Sequence, residues 1–178
     1  EWMPLRDAAS REARADYWRH FRFGNLASLV SLETRHTGRA EQIDYRAHLT
    51  PDSTAEDIER FRSEVLGAPN RSMMPPREEA FLKEALSEAV AAERPWRLLG
   101  NQIPMGRVHV PPLSDARFDA VAKSPEHPAH GQWQGMAALG KAGLPIYLDT
   151  WDGYPWARER LYALLAEAGI ADALVLTG

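Results

Sequence analysis

The chain has 178 residues, 44% of them hydrophobic and 26% charged, which suits a globular fold and argues against a disordered one. Its 21 basic and 25 acidic residues give a net charge of −4 and a pI near 5.9, so no nucleic-acid-specific binding is expected. The absence of cysteine excludes disulfides, thiolate zinc sites and cysteine nucleophiles within these residues.

The length suits a single domain. Residues 16–23 read as a strand with Tyr17, Arg19, Phe21 and Phe23 on one face. Gly24 and Asn25 signal a turn, and residues 26–34 return as a second strand with Leu26, Val30 and Leu32 together. Asp52, Ser53 and Thr54 offer caps for a helix to about Leu66 with an apolar stripe of Ile58, Phe61, Val65 and Leu66. Pro76 opens a longer helix over 76–93, its buried face Phe81, Leu82, Ala85, Ala89 and Ala92. A short strand follows at 96–99, running into Gly100, Asn101 and Gln102.

From Pro104 to Gly131 the chain is proline-rich, with a helical turn expected near 114–122. A short helix is expected over 132–142, an extended segment over 145–148, and a helix over 156–168 with Leu161, Leu164, Leu165 and Ala168 inward. Residues 173–177 read as a buried strand. Two helix-then-strand units, 76–99 and 156–177, predict a mixed α/β sheet with both helices packed on it. No apolar run approaches the ~20 residues of a membrane span, and no signal-peptide pattern is present. Both ends are expected to be cuts through a larger domain.

Gly135 to Lys141 matches most of a phosphate-binding loop, but Ala142 stands where a metal-binding hydroxyl belongs and no strand precedes it. A glycine-containing helix is the better reading. No Gly-x-Ser-x-Gly elbow and no His-Glu-x-x-His pattern occur, which removes two hydrolase classes. His127 and His130 read as surface loop residues.

The densest group of chemical side chains is Asp149-Thr150-Trp151-Asp152-Gly153-Tyr154-Pro155-Trp156. Two carboxylates on a loop suit a hard cation. They also suit a plain turn in which Asp152 caps a helix while Trp151 and Tyr154 pack. Asn101 and Gln102 end a strand where α/β sheets bind ligands, and an ordinary turn explains them as well. Arg35 offers a guanidinium for oxyanions or for a structural carboxylate.

In order, Phe21-Arg22-Phe23-Gly24-Asn25-Leu26-Ala27, Leu32-Glu33-Thr34-Arg35, Arg39-Ala40-Glu41-Gln42, Pro76 to Leu82, Trp96 to Gln102 and Asp149 to Pro155 resemble the alkaline phosphatase D-like (PhoD-like) metallophosphatases. Arg158-Glu159-Arg160-Leu161, the start at Glu1 to Arg6 and the end at Val175 to Gly178 resemble them too. The resemblance implies a four-layer α/β/β/α sandwich with mixed sheets. It implies an exported enzyme, periplasmic or secreted, that hydrolyses phosphate monoesters or diesters with iron and calcium or related metal ions.

By the same resemblance, Asp149, Asp152 and Asn101 would bear on the metal, and Arg35, Gln102 and Tyr154 on the substrate. Asp149, Asp152 and Asn101 would converge in one cleft. The family's other ligands would fall before Glu1 and, in an Asp-Val-His motif, after Gly178. The 178 residues would then be an incomplete catalytic domain that does not fully bind metal and is inactive alone. The alternative is a non-catalytic α/β binding or structural module that has lost the metal site.

Overall fold

Strands β1 (Arg19–Phe23) and β2 (Ala27–Ser31) form an antiparallel hairpin. Its turn holds Gly24 at φ +55°, a left-handed conformation that costs glycine little. In this computed structural model, which describes residues 16–50, 52–110, 120 and 123–177, the chain divides into two compact units. The first comprises residues up to Ala40, Ser72–Pro104 and Ala157 onward; the second comprises Glu41–Arg71 and Met105–Trp156. The expected helical turn at 114–122 falls, apart from residue 120, outside the described residues.

The first unit is α/β. Strand β3 (Trp96–Asn101) lies parallel to β2, and β4 (Leu174–Thr177) parallel to β3, giving a four-stranded mixed sheet in the order β1-β2-β3-β4. The expectation that the strands near 96 and 173 share one sheet is met. Two parallel crossovers stepping in the same direction place their helices on one face, because such crossovers are right-handed. These helices are α2 (Pro76–Ala91) and α4 (Pro155–Glu167). Glu79 Oε2 meets Arg160 Nε and Glu167 Oε2 meets Lys83 Nζ, both at 3.0 Å, so α2 and α4 lie side by side.

Helix α2 starts at Pro76, whose missing N–H costs nothing in a first turn. It buries Leu82, Ala85, Leu86 and Ala89, and also Glu78. Phe81 and Ala92, expected on that face, are only half-buried. Helix α4 buries Ala157, Arg158, Leu161 and Leu164, while Leu165 and Ala168 are half-buried.

The pleat sorts the sheet residues. Val30 and Leu99 occupy the helix-covered face and are buried. The opposite face carries Phe21, Phe23, Trp96, Leu174 and Leu176, each between 46% and 53% exposed. Strand β4 is therefore not the buried strand its composition suggests. Among the described residues it is the edge strand of the sheet, and its side chains are exposed. Leu26, expected on one strand face with Val30 and Leu32, sits in the hairpin turn and is exposed.

A polar knot ties the hairpin to α2. Arg94 donates to the Gly24 carbonyl (2.9 Å), the Ser28 hydroxyl (3.3 Å) and Glu88 (3.1 Å). Glu88 also accepts two bonds from Arg22, at 2.6 and 2.5 Å. His20 lies 3.0 Å from the Ser28 hydroxyl, and burial, then Arg22, push its pKa down. Arg94→Ala leaves the Gly24 carbonyl and Ser28 short of a donor. The expected loss is about 2 kcal/mol, read as a fall of roughly 5 °C in Tm by thermal denaturation. An unchanged Tm would mean that water replaces Arg94 without cost.

The second unit is built on α1 (Ala55–Arg60) and α3 (His130–Ala142). Thr54 and Asp57 form a reciprocal capping box that starts α1. The helix then widens over Phe61–Leu66, where Gly67 N–H bonds back five residues to Arg62. This turns Phe61 and Leu66 into a core with Ile43, Leu144 and Leu148. Gly135 to Lys141 is helical within α3, and turns rather than a strand precede it, so the phosphate-loop match is a helix face. Gly143, at φ +63°, ends α3, and Arg62 donates to the Ala142 carbonyl at 2.6 Å. The extended segment expected at 145–148 is reduced to one bridge, His109 with Pro145, followed by a turn.

Candidate active-site residues in the two units

In the first unit the carboxyl ends of β2 and β3 lie at one sheet edge, and Leu32 N–H extends their pairing to the Gly100 carbonyl at 2.8 Å. Beyond β2 the chain turns at once. Glu33, fully buried, sends its carboxylate into that turn. Its oxygens accept the amides of Arg35 (2.9 Å), His36 (2.9 and 3.1 Å) and Thr37 (2.7 Å), and the Thr37 hydroxyl (2.7 Å). Burial alone would push the Glu33 carboxyl up. The bonds from Thr37, Arg35 and His36 outweigh it and hold the pKa below the usual carboxylate range.

Behind Glu33 stands Glu78, also fully buried, whose Oε1 accepts the Glu33 amide at 2.6 Å. Its other oxygen has no hydrogen-bond partner among the described residues. Burial, with the nearby Glu33 and Asp16 charges added, raises its pKa to about 8. Glu78 is thus mostly protonated at neutral pH.

Asn101 and Gln102 serve the same turn. Thr34 donates its hydroxyl to Asn101 Oδ1 and its amide to Gln102 Oε1, both at 3.1 Å. The Asn101 amide nitrogen donates to the Ile103 carbonyl at 2.8 Å. Asn101 is buried and Gln102 exposed. Arg35 is exposed as well, and its guanidinium makes no hydrogen bond or ion pair among the described residues.

In the second unit Asp149 is half-buried beside a concavity of about 470 Å³, between Gln42, Asp44, Tyr45 and Tyr147. Asp152 is buried, in a tight turn over Trp151–Gly153. Its Oδ2 accepts the Val108 amide at 2.8 Å, and its own amide donates to the Thr150 hydroxyl at 3.3 Å. Helix α4 begins three residues on, at Pro155. Burial, then the Asp152 charge, push the Tyr45 hydroxyl up, and that hydroxyl donates to the Pro145 carbonyl at 2.7 Å. Tyr154 is fully buried under the Arg71 guanidinium, 4.7 Å from its ring centre. Arg71 also donates to the carbonyls of Gly153 (3.2 Å) and Glu41 (3.0 Å).

Asn101, Gln102 and Arg35 therefore belong to the first unit, and Asp149, Asp152 and Tyr154 to the second. Among the described residues no three histidine or carboxylate side chains gather as a metal would require. Asp152 and Asn101 have already committed an oxygen to internal donors. The described residues do not by themselves compose a metal centre. Sequence reasoning did not single out Glu78 or Arg71. Glu78 could have been found, because it lies four residues before Leu82 on the apolar stripe of α2.

No helix among the described residues is long and apolar enough to cross a membrane. No solved structure matches the chain. It is 28% identical over 180 residues to alkaline phosphatase D of Bacillus subtilis (strain 168), an alignment covering all of this chain and 23% of that protein. The chain thus spans about a quarter of the length of that relative. The model of the PhoD-like phosphatase family matches residues 1–178. Since that match takes in every residue, the chain belongs to the PhoD-like phosphatases.

Proposed function

We propose that this chain forms part of an exported metal-dependent hydrolase of phosphate monoesters or diesters. The match to the phosphatase family along every residue carries this reading. The exposed Arg35 guanidinium, beyond the carboxyl end of β2, supports it: that edge is where open α/β sheets bind ligands, and a guanidinium pairs well with phosphate oxygens. Arg35 and Gln102 would bind substrate oxygens. Tyr154 would shape the substrate region through its contact with Arg71 rather than through an exposed hydroxyl.

Asp149, Asp152 and Asn101 would support metal ions, iron and calcium in the family this chain resembles, together with ligands outside the 178 residues. Bound metal supplies charge to stabilise the pentavalent phosphorus and a more acidic water. The apolar open face of the sheet supports a four-layer α/β/β/α arrangement in which a second sheet covers Phe21, Phe23, Trp96 and Leu176.

The test compares the full-length protein with the 178 residues alone on chromogenic phosphate monoesters and diesters, with and without chelator. Chelator-sensitive turnover is expected only in the former; turnover by the 178 residues alone would misplace the site. In the full-length protein Asp149→Asn and Asp152→Asn are each expected to lower metal content or turnover about 10- to 100-fold. Unchanged metal content and turnover in both variants would remove these two residues from the site.

A further inference from the structure

We infer that the Glu33 carboxylate is the positioning group for Arg35: it occupies the amides of the 35–37 turn and so leaves the Arg35 guanidinium to meet an incoming anionic oxygen. The inference rests on the substrate role proposed above for Arg35. Three successive N–H groups at Arg35, His36 and Thr37 converge on one point. Such convergence is a ready site for an external anion. Here the chain supplies its own anion, from a fully buried side chain two residues before Arg35. A phosphate reaching this edge finds the backbone donors taken and the guanidinium open.

The carboxylate is itself held from behind. The Glu33 amide bonds to Glu78, and Thr34, also fully buried, is clamped by Asn101 and Gln102 from the neighbouring strand. Backbone and carboxylate together fix the Cα of Arg35, while its side chain stays exposed, without a partner among the described residues.

The experiment uses the full-length protein with Arg35→Ala, Glu33→Gln and the double variant. It reads KM and kcat on a chromogenic phosphate ester, inhibition by inorganic phosphate, and hydrogen exchange across 35–37 by mass spectrometry. Arg35→Ala is expected to raise KM and the phosphate inhibition constant about tenfold or more. Glu33→Gln should accelerate exchange at 35–37 and raise KM several-fold, with kcat within about twofold. The double variant should be no worse than Arg35→Ala alone, because both changes remove one contact.

Faster exchange with unchanged KM in Glu33→Gln, or additive effects in the double variant, would overturn the positioning role. An unchanged KM in Arg35→Ala would instead remove the substrate role of Arg35, and the inference with it. Should Glu33→Gln fail to fold, Thr37→Val removes only the hydroxyl bond. It should give the same pattern at about two- to threefold, and an unchanged KM and exchange there would count against the inference.

Discussion

Gly153→Ala in the full-length protein is expected to lose at least about 3 kcal/mol of stability, with the tight turn at Trp151–Gly153 displaced. A Cβ at Gly153 would collide with the backbone of Leu148, its carbonyl oxygen first. Flexible side chains can move aside, but here the obstacle is main chain. Leu148 belongs to the core with Ile43, Phe61, Leu66 and Leu144, so retreat of its carbonyl disturbs that packing. The Gly153 carbonyl is also held by Arg71, which blocks the other direction of escape. Thermal denaturation reads the effect. Gly135→Ala is the control: a Cβ there meets nothing within 4 Å, and within α3 it should stabilise by about 0.5–1 kcal/mol. A Gly153→Ala protein as stable as wild type would show that the turn tolerates a side chain.

The second large effect concerns pH. The Glu78 pKa is raised from 4.5 to about 8, chiefly by burial, with Glu33 and Asp16 adding to it and the Glu33 amide and Arg77 opposing it. A carboxyl whose folded value lies above its unfolded value favours folding in its protonated form. Its contribution is fully present below about pH 4.5 and is lost progressively until pH passes about 8. Wild-type Tm should therefore fall between pH 5 and 9 relative to Glu78→Gln, by a difference on the order of 10 °C. Glutamine keeps an acceptor for the Glu33 amide and cannot ionise. Other groups titrate in both proteins and cancel in the difference. Parallel Tm curves would show that Glu78 does not change charge in this range.

Where a signal was local, the sequence was readable. Thr54 before Ala55 and Pro76 at its first turn mark helix starts because caps and proline act within one turn. Gly24 marks the hairpin, and helix-then-strand order is enough to expect β3 and β4 in one sheet. Burial was less readable, since it depends on what covers a face. Leu174, Val175 and Leu176 look like core, yet they sit on an edge strand. Glu78 looks like a surface charge, yet it is buried behind Glu33. Among the candidate residues, the residue types at Arg35, Asn101 and Asp152 were visible. Their occupations were not: the acceptors Thr34 and Val108 reach are set by pairings far apart in sequence.

The chain passes between its two units after Ala40, Arg71, Pro104 and Trp156, so neither unit is one continuous stretch. That ordering shapes how the molecule reaches its native state. The β1–β2 hairpin can close on its own, but Ala27 must find Trp96, and Leu98 must find Leu174, across the excursions that supply the other unit. Pairings of such sequence separation slow folding, because chain entropy is surrendered before the contacts are made. The hairpin is then the natural early element, and β4 the late arrival. During that interval its exposed leucines and unpaired backbone edge make the growing sheet most vulnerable to wrong partners.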